Sequence, residues 1–300
     1  MRYAYYPGCS AESTARDMHQ STLAVAGALG IELVEPNGWT CCGATAGHQT
    51  DRILAAALPA ANLVKVQDMG LSSRKAGSPE CIVNCAACYN RMKVANHEIL
   101  SDSGIRQSVC DAIGRDYDGS VKVRHFIEVL LEDVGLDKIN KAVKLPLNGL
   151  KVACYYGCLL VRPPKVVQFD DPENPTSLDK LVKAMGGESL DWPYKVECCG
   201  GGLSLSRTDV VIELTNSILN MAESAGADCI VVSCPMCQVN LDLRQQDIYK
   251  QTGRDYQIPI IYMTQLLGVS LGISPDELGF DKLMVSPSSV FEKIKVTGNG

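Results

Sequence analysis

Cys81-Ile82-Val83-Asn84-Cys85-Ala86-Ala87-Cys88 opens as an apolar, strand-like run and closes as a Cys-x-x-Cys turn. The chain repeats this at Cys229-Ile230-Val231-Val232-Ser233-Cys234-Pro235-Met236-Cys237. Short β-branched runs of this kind suit buried strands, and helical patterns follow at about 89–101 and 237–250. Each Cys-x-x-Cys therefore falls where a strand gives way to a helix, the edge on which open α/β sheets build their sites. Outward from these two stretches the match continues. Tyr5-Tyr6-Pro7-Gly8-Cys9 resembles Tyr155-Tyr156-Gly157-Cys158, and Cys41-Cys42-Gly43 resembles Cys198-Cys199-Gly200, in the same order. Cys9 and Cys88 are 79 positions apart, as are Cys158 and Cys237, although the second copy has eight more residues before its Cys-Cys pair and eight fewer after it. A frame kept while loops differ is the mark of an internal repeat.

Further strand-like runs lie at 2–6, 31–35, 80–84, 151–156 and 228–233, and further helical patterns at about 11–29, 50–68, 177–185 and 207–224. Gly30, Gly70 and Gly226 are expected stops, and Pro59 is expected to kink or break the second helix. A third echo links 123–130 with 260–267, and the stretch from Val143 to Gly149 reads as a seam. The expectation is an α/β fold of two pseudo-symmetric domains, 1–146 and 147–300, each a small, mostly parallel sheet with helices, with the motifs near the seam. The stretch from Arg162 to Thr176, with four prolines, reads as an ordered loop of the kind used for lids or partner contacts.

Composition narrows the chemistry. A net charge of -6 argues against a general nucleic-acid binder, and no apolar run approaches the roughly 18–20 residues that span a bilayer. Without a signal-like N-terminus the chain reads as soluble and cytoplasmic. In that compartment its 14 cysteines read as metal or cluster ligands instead of disulfide staples. Five thiols per repeat exceed the four of a closed zinc site, and a Cys-Cys pair is placed to serve adjacent irons. Zinc is the rival. Cys81 and Cys229, in apolar runs, and Cys110, without a counterpart, read as structural thiols. Cys81 and Cys154 stay open as substitutes for an assigned ligand, although Cys81 corresponds to Ile230 and the Gly-Cys context of Cys9 favours Cys158. No Gly-x-Gly-x-x-Gly or Walker-type loop and no further ferredoxin-like run is present, so electrons are expected from elsewhere.

The doubled pattern of Cys, Cys-Cys-Gly and Cys-x-x-Cys, with its opening Tyr-Tyr-Pro-Gly-Cys, resembles the CCG, cysteine-rich domain pair of the B subunit of heterodisulfide reductase from methanogenic archaea. The 42 residues between Cys42 and Cys85 exceed the usual spacing of that family. The resemblance implies two non-cubane 4Fe-4S clusters, one on Cys9, Cys41, Cys42, Cys85 and Cys88, the other on Cys158, Cys198, Cys199, Cys234 and Cys237. It further implies homolytic cleavage of the coenzyme M–coenzyme B disulfide, CoM-S-S-CoB, between them. Implied partners are the C subunit of that reductase, with cubane 4Fe-4S clusters, and its flavin-containing A subunit, with a hydrogenase or formate dehydrogenase upstream, in an electron-bifurcating complex of methanogenesis. The anionic coenzymes call for basic residues, for which Arg162, Lys165, Arg207 and Arg91 are candidates by proximity to the motifs, and His125 is a candidate proton donor or a satisfied histidine on a helix. The alternatives are an iron-sulfur electron-transfer subunit of a glycolate, lactate or glycerol-3-phosphate dehydrogenase, and a zinc-stabilised scaffold.

Overall fold

In the computed structural model, which describes residues 1–72 and 77–297, two four-stranded sheets share one design. The first holds β1 (Arg2–Tyr6), β2 (Glu32–Val34), β3 (Glu80–Val83) and β4 (Lys122–His125) in the order β2-β1-β3-β4. The second holds β5 (Lys151–Cys154), β6 (Glu188–Ser189), β7 (Cys229–Val232) and β8 (Ile260–Tyr262) in the order β6-β5-β7-β8. All pairings are parallel. Parallel strands require crossovers that lay helices on both faces, so central strands are buried on both sides. That is why β7, and β3 after its opening Glu80, are apolar without alternation, and both strands are buried at every residue.

The helices that matter for the site are α1 (Arg16–Ala28), α2 (Arg52–Met69), α3 (Ala86–Ser101) and α4 (Ser103–Ile113) in the first half. Their companions in the second are α5 (Ser177–Ala184), α6 (Thr208–Ser224), α7 (Pro235–Thr252), α8 (Met263–Ser270) and α9 (Ser288–Thr297). Contrary to expectation, α2 runs through Pro59 unbroken: the proline is buried among Ala56, Ala57 and Ala60, whose small side chains leave room for its ring. Packing on that face outweighs one missing ladder bond. Gly70, at φ 62°, closes the helix as expected. The stretch Arg162 to Thr176 contains a helical turn, Pro164–Val167, and the Asp170 carboxylate then accepts from the amides of Thr176 and Ser177.

Register aligns the halves more finely than the sequence does. Tyr6 lies opposite Val83, and Cys154 lies opposite Val231, one step before Val232. Tyr155 is therefore the counterpart of Tyr6, Cys154 that of Tyr5, and the expected pairing of Tyr5-Tyr6 with Tyr155-Tyr156 is off by one. The hydroxyls agree: Tyr6 donates to Thr40 O at 2.7 Å and Tyr155 to Glu197 O at 2.6 Å, the residues just before each Cys-Cys pair. The echo at 123–130 and 260–267 is the fourth strand of each sheet with the helix after it. Each of these helix starts is closed by the side chain three residues on: Glu128 accepts from the His125 amide at 2.5 Å, and Gln265 from the Tyr262 amide at 3.0 Å.

The halves pack closely. All residues of α8 are buried, and Thr264 meets Ser21 of α1 at 2.8 Å between hydroxyls. From α3, Asn90 Nδ2 donates to Leu159 O and Arg162 O, and the amide of Ala86 donates to Ser233 O at 3.3 Å. Among the described residues no helix is long and apolar enough to cross a membrane.

Candidate functional site

The strand ends bring ten cysteines into two sets of five. In the first, Cys9 and Cys41 Sγ are 3.5 Å apart and Cys42 and Cys88 Sγ 3.2 Å, with Cys85 hydrogen-bonded to Cys88. In the second, Cys199 and Cys237 Sγ are 3.4 Å apart, and hydrogen bonds link Cys158 with Cys198 and Cys234 with Cys237. The helices begin earlier than the 89 and 237 read from sequence. Cys85 and Cys234 are the N-cap residues of α3 and α7, and Cys88 and Cys237 lie in their first turns. Thiol sulfurs thus lie at the positive end of a helix.

Charge is shared unequally within each set. Hydrogen bonds from Cys41 and Cys88 hold the Cys42 thiol well below its ordinary range. A bond from Cys158 brings Cys198 down to about 6, and one from Cys237 brings Cys234 down to about 7. The donors are raised in turn: Cys88, by its bond to Cys42 first, and Cys237, by its bond to Cys199 first. The amides of Gly43 and Gly200 donate to Cys41 and Cys198 Sγ at 3.4 and 3.3 Å. Two further glycines make the cradle: a Cβ on Gly8 would lie 3.1 Å from Cys88 Sγ, and one on Gly157 3.0 Å from Cys237 Sγ.

Such donor sets fit sulfur-bridged iron: five free thiols per set, amides aimed at sulfur, and glycine where a side chain would press on a ligand. Among the described residues no three His, Cys, Asp or Glu side chains are arranged around a single ion. Cys81, Cys154 and Cys229 lie in β3, β5 and β7, fully buried; burial raises Cys81 to about 12 and raises the other two as well. Cys154 Sγ meets Ser189 Oγ at 3.6 Å, and Cys110, on α4, bonds Tyr117 O.

Between the halves lies a cavity of ≈ 180 Å³. Cys158, Cys198, Cys199, Cys234 and Cys237 line it, facing His48, Gln49, Ala86, Ala87 and Arg91 from the first half. Of the basic candidates Arg91 alone lines this cavity, and it continues into a neighbouring groove shared with His48 and Gln49. Arg162 is held by Glu173 at 3.0 Å and by Val196 O, Arg207 by Asp209 at 2.8 Å, and Lys165 is exposed on the helical turn. His125 ends β4 and caps the following helix; it is not on one. Its Nε2 meets Asn84 O at 3.0 Å, its Nδ1 accepts from the Ile127 amide, and burial lowers its pKa to about 3. It is neutral and engaged.

Sequence reasoning missed His48, Gln49 and Tyr156. His48 follows Cys-Cys-Gly by five positions, on the short helix Gly47–Thr50, and that nearness to the motif was a usable signal. Tyr156 is fixed by a buried network: its hydroxyl donates to Asp179 Oδ2 at 2.5 Å, and Lys195 Nζ pairs with Asp179 Oδ1 at 3.0 Å.

The Cysteine-rich domain family, CCG, matches residues 3–93 and 152–242. The chain is 32% identical over 299 residues to the B subunit of the Ferredoxin/F(420)H(2)-dependent CoB-CoM heterodisulfide reductase of Methanosarcina acetivorans, across 98% of this chain and 97% of that one. It is 31% identical over 291 residues to the 8-methylmenaquinol:fumarate reductase membrane anchor subunit of Wolinella succinogenes, across 96% and 98%. A solved hypothetical protein from Helicobacter pylori shares the fold, with a TM-score of 0.73 at 12% identity, across 95% of this chain and 52% of that one.

Proposed function

This chain belongs to the CCG cysteine-rich domain family, and from that premise we propose that it is the catalytic subunit of a heterodisulfide reductase. It carries two 4Fe-4S clusters of the non-cubane type, one on each five-thiol set, and reduces CoM-S-S-CoB to coenzyme M and coenzyme B thiols. The observation that supports this reading is the pair of complete five-thiol sets at the strand ends, with a cavity between the halves that the second set lines.

The overall change takes two electrons and two protons for each S–S bond broken, giving two thiols. Bound clusters supply the electrons singly, which is why two are needed for one homolytic cleavage. The remaining work falls to side chains. Arg91 meets an anionic group of the disulfide by charge-assisted hydrogen bonding, and the Tyr156 wall, locked by Asp179, excludes water. His48, exposed on the cavity wall, hands a proton to a departing thiolate.

The domain division at 1–146 and 147–300, the cytoplasmic location and the partners belong to the same proposal. Those partners are the cubane-cluster C subunit, the flavin-containing A subunit and an upstream hydrogenase or formate dehydrogenase, working by electron bifurcation. The Methanosarcina and Wolinella relatives are both named as subunits of larger reductases, which supports a multi-subunit setting. The name "membrane anchor" weighs against a cytoplasmic site, and the lack of a spanning helix among the described residues does not by itself decide it.

A second reading is favoured by the fumarate reductase relative, at 31% against 32%: a subunit that relays electrons without touching a disulfide. Anaerobic iron, sulfide and zinc analysis followed by EPR with coenzyme M or coenzyme B under oxidising conditions separates the two. About eight irons and eight sulfides per chain, with a signal altered by either thiol, support the reductase. The same iron with a signal indifferent to both thiols supports the relay, and zinc in place of iron ends both.

A further inference from the structure

The two thiol sets are built alike, but the hydrogen-bond donors beside them are not. Asn84 lies between β3 and Cys85, and Ser233 between β7 and Cys234. On the neighbouring strands His125 lies opposite Val83, and Tyr262 lies opposite Val232. In the first half both positions are committed. Asn84 Nδ2 donates to Thr22 Oγ1 at 2.7 Å, and His125 Nε2 meets Asn84 O at 3.0 Å.

In the second half neither hydroxyl is committed. Ser233 and Tyr262 are 4% and 1% exposed, and Ser233 Oγ and the Tyr262 hydroxyl have no hydrogen-bond partner among the described residues. A buried donor without an acceptor is costly, and two in one place point to an acceptor that completes the site. Tyr262 lies opposite Val232, two positions before Cys234. A phenol hydroxyl is a hydrogen-bond donor, and the thiols of the second set lie at this same strand end.

We infer, on the reading that each set holds an iron-sulfur group, that Ser233 and Tyr262 donate hydrogen bonds to sulfur of the second group and hold its reduction potential above that of the first. Hydrogen bonds to sulfur withdraw electron density and make such a group easier to reduce. The amide donations from Gly43 and Gly200 occur in both halves and cancel in the difference. The hydroxyls remain as the asymmetric contribution. The consequence is direction: an electron that enters at the first group moves on to the second, whose thiols line the cavity. Both side chains are positioning residues.

The test is an anaerobic redox titration followed by EPR on the full chain, with the two signals assigned by Cys41→Ser and Cys198→Ser. Iron and sulfide content are measured alongside. In Tyr262→Phe and in Ser233→Ala the higher potential is expected to become more negative, further in the double variant, while the lower potential stays. Ser233→Thr keeps the hydroxyl and is expected to restore the wild-type value, which a purely structural role would not require. Full iron content with both potentials unmoved, or movement of the first group's potential alone, overturns the inference and leaves the reductase reading intact. Absence of iron from the wild type removes both.

Discussion

Gly157 has φ +63° and a hypothetical Cβ 3.0 Å from Cys237 Sγ, so two penalties meet at one residue. A side chain in left-handed backbone costs about 1–2 kcal/mol, and the new methyl presses directly on a ligand sulfur. Gly157→Ala is expected to lower the unfolding midpoint and to release iron from the second set alone, leaving about half the iron of a chain with two four-iron groups; undiminished iron content would count against the cradle. Arg91 carries the other prediction at this scale. Losing a charge-assisted bond of about 1.5–3 kcal/mol should raise KM for the anionic disulfide about 10- to 100-fold in Arg91→Gln, with kcat changed much less. A fall in kcat at constant KM would move Arg91 out of the binding role. The two five-thiol sets were legible because scattered core thiols rarely repeat one spacing twice. The arginines were not, because nearness to a motif says nothing about whether Glu173 or Asp209 already holds the guanidinium.

At the scale of elements, β4 and the turn after it hold two buried groups that report on the fold without touching the site. Arg124 is fully buried and pairs with Glu80 of β3 at 3.6 Å, Glu132 at 3.0 Å and Asp133 at 2.5 Å, tying strand to strand and to the π-helical turn Val129–Val134. Arg124→Met removes the cation that pairs with Glu80, Glu132 and Asp133 and should cost about 3–5 kcal/mol in urea unfolding; a loss under about 1 kcal/mol would show that the pairs merely balance desolvation. His125 has a folded pKa near 3, lowered by burial from 6.5, so the unfolded chain binds more protons between those values. Its contribution to stability is complete above about pH 6.5 and is lost as pH falls toward 3. Asp17, raised to about 6 from 3.8 by burial, acts oppositely, losing stability as pH rises through that window. Replacing His125 by Gln should therefore remove the destabilisation on acidification that is specific to the wild type, measured as the difference in unfolding free energy between about pH 6.5 and about pH 4.5. β1, β2, β3, β5 and β7 were readable from apolar runs, whereas β4, β6 and β8, two to four residues long, were not read as strands. The continuity of α2 through Pro59 was not, because the alanines that accommodate the ring act only once the helix is packed.

Across the whole molecule the repeat is plain in the sequence, while the closeness of its halves is not. The amphipathic signal of α8 cannot say which partner it meets, yet all its residues are buried and it lies against α1 of the other half. Gln20 Nε2 donates across to Asp276 O, Lys144 and Leu145 amides both donate to Ser270 O, and the Tyr89 hydroxyl reaches Val167 O. Separating the halves would break these bonds and expose the buried apolar side chains of α8 to water. The segments 1–146 and 147–300 made alone are thus expected to be poorly folded, and mixing them should restore a compact heterodimer with the iron content of the intact chain. Stable, iron-loaded halves that ignore each other would show two independent domains and would remove the reason for a cavity between them. Co-dependence would instead make the interface part of the catalytic design, since the contact from Ala86 to Ser233 that joins the halves directly adjoins the ligand turns of both sets.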